Sequence, residues 1–222
     1  MDIFETMKER HSVRTYNSRK IEPDVAKELQ TLIDQCNKDS GLHIQLCLDE
    51  PNAFDGFMAR YGKFTNVKNY IALIGKKAKD LDEKIGYYGE KIVLKATELG
   101  LGSCWVAATY SKSKCGATID KGEKLVCVIS LGYFDKGGVP HKTKSIEELS
   151  QSNGNMPDWF RRGMEAAQLA PTAMNQQKFL FILEGDKVIA KAGRGFYTKL
   201  DLGIVKCHFE LGAGTENFKW SK

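Results

Sequence analysis

Two stretches of this 222-residue chain collect side chains suited to holding a ligand. The first is Arg10-His11-Ser12-Val13-Arg14, in which two arginines flank a hydroxyl. Guanidinium forks match phosphate oxygens bidentately and serine adds a donor, so the group suits a phosphate or a polyol phosphate. The same string also reads as a plain solvated face. The second is Ala170-Pro171-Thr172-Ala173-Met174-Asn175-Gln176-Gln177-Lys178-Phe179. Here Asn175, Gln176 and Gln177 each carry a donor and an acceptor, matching a flat heterocycle whose edge alternates the two. An ordinary helix-to-strand connection is the alternative. Lys142 and Lys144 read either as a further anion contact or as part of a solvated turn.

These stretches need elements to hold them. Ile3 to Arg10 reads as a short helix with Ile3, Phe4 and Met7 on one side, leading into the arginine group. Pro23 opens a second helix with a stripe of Val25, Leu29, Leu32, Ile33 and Cys36, broken at Asp39-Ser40-Gly41. Strands are expected at Leu42 to Leu48, Tyr70 to Ile74, Lys124 to Tyr133 and Phe179 to Leu183, and a helix from Asp80 to Leu99. Ser145 and Glu148 have capping-box spacing. Trp159, Phe160, Met164, Ala167 and Leu169 recur at helical spacing until Pro171 stops the ladder.

Composition removes several classes. With 42% hydrophobic and 27% charged residues the chain is of ordinary globular type. The formal charge of +5 comes from scattered lysines without a block of like charges, so nucleic acid is not an expected partner. Six cysteines stand singly and mostly in apolar runs, and no pair has C-x-x-C spacing. They read as buried small hydrophobes in a reducing compartment. The four histidines are equally dispersed, so neither a metal site nor a Cys/His nucleophile is expected. With no signal-like start and no membrane-length apolar run, a cytoplasmic location is expected.

Two correspondences suggest an internal duplication. The order helix, break, apolar strand, acidic turn occurs at 24–50 and again at 158–186. Ile92-Val93, Glu98-Leu99-Gly100, Gly102 and Ser103 return at constant offset as Ile204-Val205, Glu210-Leu211-Gly212, Gly214 and Thr215. A half-domain repeat fits better than a solenoid unit. The halves diverge in a complementary way. The first has the arginine group but Asp39-Ser40-Gly41 where a loop would be; the second has Pro171 to Asn175 but only Ser152-Asn153-Gly154-Asn155 before its helix.

Together with Tyr87-Tyr88-Gly89-Glu90, the Gly100 to Val106 block and Gly132-Tyr133, these stretches resemble the FMN-dependent nitroreductase family, most closely a branch with two nitroreductase-like halves in one chain. The resemblance implies an α+β sandwich with internal duplication forming a pseudo-dimer: residues 1–150 as the half with the FMN phosphate group, and 151–222 as a shortened half supplying the partner loop. It implies that Arg10, His11, Ser12 and Arg14 hold the phosphate and ribityl chain, with Lys142 or Lys144 balancing charge. Val106, Ala107 and Ala108 resemble the segment facing the reactive edge of the flavin, and Pro171, Thr172 and Asn175 the loop normally donated by a partner subunit. This chain departs from the family loop in having Thr172 after the proline and Gln177-Lys178 at its end.

The implied activity passes electrons from NAD(P)H through FMN to a nitroaromatic, a quinone or a similar acceptor, with no catalytic side chain and one site per chain. A non-catalytic flavin-binding protein on the same fold is the alternative. A cofactor-free interaction protein, its repeat purely architectural, is a third reading of another class.

Overall fold

Glycine and proline set many of the element ends, as their backbone preferences require. The computed structural model describes residues 2–152 and 154–221; Asn153 of the Ser152–Asn155 stretch lies outside them. In chain order the elements are α1 (Ile3–Glu9), α2 (Pro23–Ser40), β1 (Gln45–Cys47), α3 (Phe57–Tyr61), β2 (Asn69–Lys76), α4 (Leu81–Glu98), β3 (Gly102–Val106) and β4 (Glu123–Gly132), then α5 (Ile146–Leu149), β5 (Ser150–Ser152), α6 (Asp158–Gln168), β6 (Phe179–Glu184), β7 (Lys187–Ala192), α7 (Thr198–Ala213) and β8 (Lys219–Trp220). Pro23 sits in the first turn of α2, and Gly41 ends it in the left-handed region at φ 71°, its N–H donating to Asn37 O. The capping box at Ser145 and Glu148 forms with both of its hydrogen bonds.

The chain divides into two units. One comprises Glu9–Leu81 and Ile92–Pro140; the other comprises Met1–Lys8, Asp82–Lys91 and His141–Lys222. The carboxyl-terminal stretch of the second unit thus starts at His141, ten residues before the division at 151 expected above.

The first unit is built on an antiparallel sheet in the order β1-β2-β4-β3. Strand β2 is buried through Gly75, as a central strand covered on both faces should be. Its Tyr70, Ala72 and Ile74 join one apolar cluster with Val13, Tyr16, Phe54, Phe64, Val106 and Val128, an alternation that follows from the period of two along a strand. Strand β3 was not expected as a strand: Gly102 and Ser103 read as a helix stop, yet they pair with Gly132 and Leu131.

The second unit carries the sheet β5-β6-β7-β8, with parallel pairs β5/β6 and β7/β8 around an antiparallel β6/β7. Its core is aromatic. Phe181 stacks on Phe209 at 4.6 Å, and Phe160, Phe218 and Trp220 gather around Phe209. The repeated Ile-Val and Glu-Leu positions lie near the end of α4 and inside α7. The two sheets differ in strand direction.

Within this unit the first half of α4 meets α7 where each helix lacks a side chain. A Cβ added at Gly86 would lie 2.0 Å from Leu200 O, and one at Gly203 would lie 1.9 Å from Glu83 O. Those neighbours are backbone and cannot rotate away. Further along, the fully buried His208 sets Nε2 2.9 Å from Glu90 Oε1 and Nδ1 3.1 Å from Ala166 O. Ala166 O can only accept, so Nδ1 carries a proton and donates to it.

Gly86→Ala and Gly203→Ala are therefore each expected to destabilise the protein by about 3 kcal/mol or more, lowering Tm by roughly 6–12 °C for a chain of this size. Thermal unfolding followed by circular dichroism checks this, with Gly56→Ala, whose added Cβ meets nothing within 4 Å, as the control.

Candidate functional site

The arginine segment is laid along the outer side of β3. Ser12 bridges Ser103 in parallel register, and Val13 N–H donates to Ser103 O at 2.9 Å. On the other side Thr65 N–H donates to Arg14 O and Tyr16 N–H to Thr65 O. Extended backbone alternates its side chains, so Val13 enters the core while Ser12 and Arg14 stay exposed; the alternation breaks after Arg14, where Thr15 is exposed and Tyr16 buried. The Tyr16 hydroxyl donates to Val13 O at 2.7 Å and lies 2.7 Å from Ser130 Oγ. Burial pushes this phenol well above the ordinary tyrosine value, against the pull of Ser130. It is a structural pin, not an acid.

Ser12 and Arg14 line a cavity of about 440 Å³ with Thr15, Asp135, Lys136 and Gly138. A smaller one of about 110 Å³ lies against Arg10, His11, Ser103 and Gly138. Arg14 and Lys136 supply cations to the larger cavity. Asp135 supplies one carboxylate, which accepts from Asn17 Nδ2 at 2.9 Å. Two cations and a hydroxyl facing a roomy cavity suit the donor needs of a phosphate monoester. Arg19, close in sequence, is engaged elsewhere: it pairs with Glu22 and lies 4.0 Å over the Tyr133 ring.

The thiol of Cys104 is buried beside the same group. Burial pushes its pKa up, while Arg14, Ser12 and Arg10 pull it down less strongly. A thiol raised above its ordinary value stays protonated at neutral pH. Val106 ends β3 in the core, Ala107 is half-buried and Ala108 is exposed.

The other expected residues belong to the second unit, where the loop after α6 turns its amides inward. Gln177 is buried; its Nε2 donates to Lys142 O at 2.8 Å and to Asn175 Oδ1 at 2.9 Å, and its Oε1 accepts Lys144 N–H. Asn175 Nδ2 also donates to Lys142 O. Thr172 Oγ1 accepts the N–H of Gln177. Lys144 Nζ lies 3.3 Å from Gln177 O, while the Lys142 side chain is exposed. The Asn175 and Gln177 amides thus brace the loop against the 142–144 turn. Pro171 is half-buried at its start, and Met174 is exposed.

The backbone of this loop is strained. Met174, Asn175 and Gln177 have φ of 52°, 53° and 45°, left-handed conformations that cost of order 1 kcal/mol or more each. A buried carboxylate helps to hold them: Asp201 Oδ1 accepts Ala173 N–H at 3.0 Å and Oδ2 accepts Gln176 Nε2 at 2.8 Å. Burial raises the Asp201 pKa, and these two donors pull it back.

Lys136, Gly138 and Asp201 were not singled out by the sequence reading. Asp201 had a legible signal, a lone carboxylate in the apolar run Leu200-Asp201-Leu202-Gly203-Ile204. Lys136 had none.

Among the described residues, His43, Asp120 and Glu123 form the one group with metal-ligand side chains close together. Its hydrogen bonds favour another role. Gln45 is oriented by Thr118, donating to its carbonyl and accepting from its N–H, and this places the Gln45 amide nitrogen 3.2 Å from His43 Nε2. Nε2 therefore accepts, and the proton sits on Nδ1, which donates to Glu123 at 2.9 Å. A metal on Nδ1 would have to displace that proton.

Helices with an antiparallel sheet, and a basic, hydroxyl-bearing segment along its edge strand, make this an α+β protein with a candidate anion site. The family model described as "Putative TM nitroreductase" matches residues 2–213, and the chain belongs to that family. The structure of a "putative nitroreductase" from Thermotoga maritima superposes with a TM-score of 0.67 at 23% identity, covering 96% of this chain and 83% of its own. A "Putative NADH dehydrogenase/NAD(P)H nitroreductase" from Bacteroides thetaiotaomicron gives 0.53 at 21%, covering 66% and 95%. A nitroreductase family protein from Streptococcus pneumoniae gives 0.53 at 16%, covering 66% and 97%. At these identities the likeness is one of fold. No protein of curated function matches the sequence significantly. Among the described residues no helix is long and apolar enough to cross a membrane.

A Cβ added at Gly138 would stand 2.7 Å from His11 Cβ and 3.1 Å from Ser12 O. Gly138→Ala is expected to displace the His11–Ser12 turn and weaken binding of an organic phosphate by about tenfold, roughly one lost hydrogen bond to a charged group. Calorimetric titration with a phosphate ester checks this, with unchanged Tm showing that the fold is intact.

Proposed function

We propose that this protein is a flavin-dependent oxidoreductase that binds FMN, with Ser12 and Arg14 holding the phosphate and Lys136 adding charge. The observation that carries the reading is the two-cation cavity along β3 in a chain of the nitroreductase family. When bound, FMN supplies the hydride chemistry. Ser12 and Arg14, fixed through Ser103 and Thr65, contribute an oriented set of donors. NAD(P)H is the proposed donor, and a nitroaromatic, a quinone or a similar small electron-poor molecule the proposed acceptor. Arg10 and His11, beside the smaller cavity, fit the ribityl side of the same ligand.

The duplication, with one site supplied by one chain, is part of the proposal and rests on the sequence offsets and the complementary loss of motifs. Lys142, Lys144, Pro171, Thr172 and Asn175 enter it as the loop contribution, acting through the braced backbone. Co-refolding an Arg14→Ala chain with an Asn175→Ala chain tests it: partial return of flavin binding would mean that sites are shared between chains.

A second reading, a flavin-binding protein without turnover, is favoured by one observation: the residues assigned to the ligand along β3, Ser12, Arg14 and Lys136, all supply binding groups. Anaerobic mixing with NADH or NADPH separates the readings. Bleaching of the flavin, followed by recovery on adding a quinone, is expected for the enzyme; an unbleached spectrum leaves only binding.

Arg14→Ala is expected to weaken FMN binding tenfold or more, from loss of a charged hydrogen bond worth about 1.5–3 kcal/mol. Arg19→Ala, whose side chain pairs with Glu22, is expected to leave affinity within about threefold. Equal losses in a fluorescence titration would remove the phosphate from this cavity.

A further inference from the structure

Asp201 belongs to the second unit and stands in the first turn of α7, 2% exposed. A buried carboxylate is an expensive way to stabilise a fold, since desolvation opposes its charge. This one faces two donors, one at each end of the turn Ala173–Asn175: the Ala173 N–H at 3.0 Å and the Gln176 amide at 2.8 Å. Gln176 Nε2 also donates to Phe196 O at 2.8 Å, so the contact extends to a second loop. That loop is itself unusual, with Tyr197 left-handed at φ 61° just before α7. The residues between the donors include two of the left-handed positions, Met174 and Asn175.

Backbone strain of this kind persists only where surrounding groups determine it. Gln177 holds the far end of the loop against the 142–144 turn, and Thr172 Oγ1 accepts the Gln177 N–H within the loop. They do not reach Ala173 N–H or the Gln176 side chain, the contacts that tie the turn, closed on itself by Asn175 N–H to Thr172 O and Gln176 N–H to Ala173 O, to α7. The carboxylate suits this task because both of its oxygens accept. An asparagine in its place would present a nitrogen to one of the two donors.

We propose that Asp201 is a positioning residue: it clamps the Ala173–Gln176 turn to the Phe196–Tyr197 loop and thereby presents the Pro171–Gln177 loop to its ligand. The ligand assignment rests on the flavin reading above; the clamp itself does not. Asp201 touches no reacting group and acts through Gln176 and the Ala173 amide. Met174 and Phe196, exposed on the two loops that it joins, are carried by the same clamp.

The test compares Asp201→Asn, Gln176→Ala and the double variant with the wild-type chain by hydrogen exchange read amide by amide, alongside FMN titration. Loss of its hydrogen bond to a charged group is expected to speed exchange at the Ala173 N–H by about tenfold or more, and the Gln176 N–H, which donates to Ala173 O, should follow as the turn loosens, with α7 amides beyond Cys207 within about twofold. Gln176→Ala, altering a half-exposed side chain, keeps the test open if Asp201→Asn folds poorly. Adding it to Asp201→Asn should cost less than the sum of the two single changes, because the residues share one contact while Gln176 alone holds Phe196 O. FMN dissociation is expected to accelerate in step with loop exchange. Wild-type exchange at Ala173 and Gln176 in Asp201→Asn would overturn the clamp, as would equal loosening throughout α7, which marks a merely structural residue. A loosened loop with unchanged FMN affinity upholds the clamp and removes the loop from the flavin site. A protein that binds no FMN fails the flavin reading alone, since the exchange arm needs no ligand.

Discussion

Two carbonyl oxygens stand where side chains would otherwise be, that of Leu200 beside Gly86 and that of Glu83 beside Gly203. Much of the second unit follows from that contact. With α7 held backbone to backbone against the first half of α4, the next residue after Leu200 is Asp201, whose carboxylate then has a fixed position from which to meet the loop after α6. Further along the same pair of helices, His208 reaches both Glu90 and the Ala166 carbonyl of α6. A larger residue at either glycine would separate the helices and shift each of these polar contacts. Buried hydrogen bonds to charged groups tolerate such displacement poorly, because their strength falls steeply with distance and angle.

The two candidate regions meet the same physical demand in opposite ways. Along β3 the backbone is satisfied by neighbouring extended segments, which leaves Ser12 and Arg14 facing an open cavity. After α6 the backbone is bent into left-handed turns, and side-chain amides are used to satisfy it. The first arrangement supplies donors from side chains. The second fixes a shape, so what it offers a ligand is loop backbone and the exposed Met174, rather than the amide edge expected from composition.

Sequence pattern was informative where one face of an element meets a core. The stripes of α2 and α6, the helix expected over α4 and the apolar runs of β2, β4 and β6 mark elements within a few residues of the observed bounds. It was silent for α7, in which twelve of sixteen residues are buried and only a narrow stripe of Lys199, Lys206 and Glu210 offers a polar face. It was also silent for β5 and β8, of three and two residues, which exist through partners distant in sequence. In the candidate site, Ser12 and Arg14 were legible from type and spacing alone. Lys136 was not, since a lysine in an Asp-Lys-Gly-Gly turn is indistinguishable from any solvated one. Gln177 was visible as polar but not as buried, because only the folded loop shows which way an amide turns.

Helix α4 contributes Asp82–Lys91 to one unit and Ile92–Glu98 to the other, and the second unit also counts the first eight residues among its parts. That unit is discontinuous in sequence. As the chain is synthesised, its earliest piece emerges first, yet its sheet and α7 come only from residues beyond His141. The inner face of α4, with Gly86 on it, has no α7 to rest against until residues 198–213 have been made. The second unit is therefore completed by contacts between residues far apart in sequence, an arrangement that slows folding relative to a unit built from local contacts.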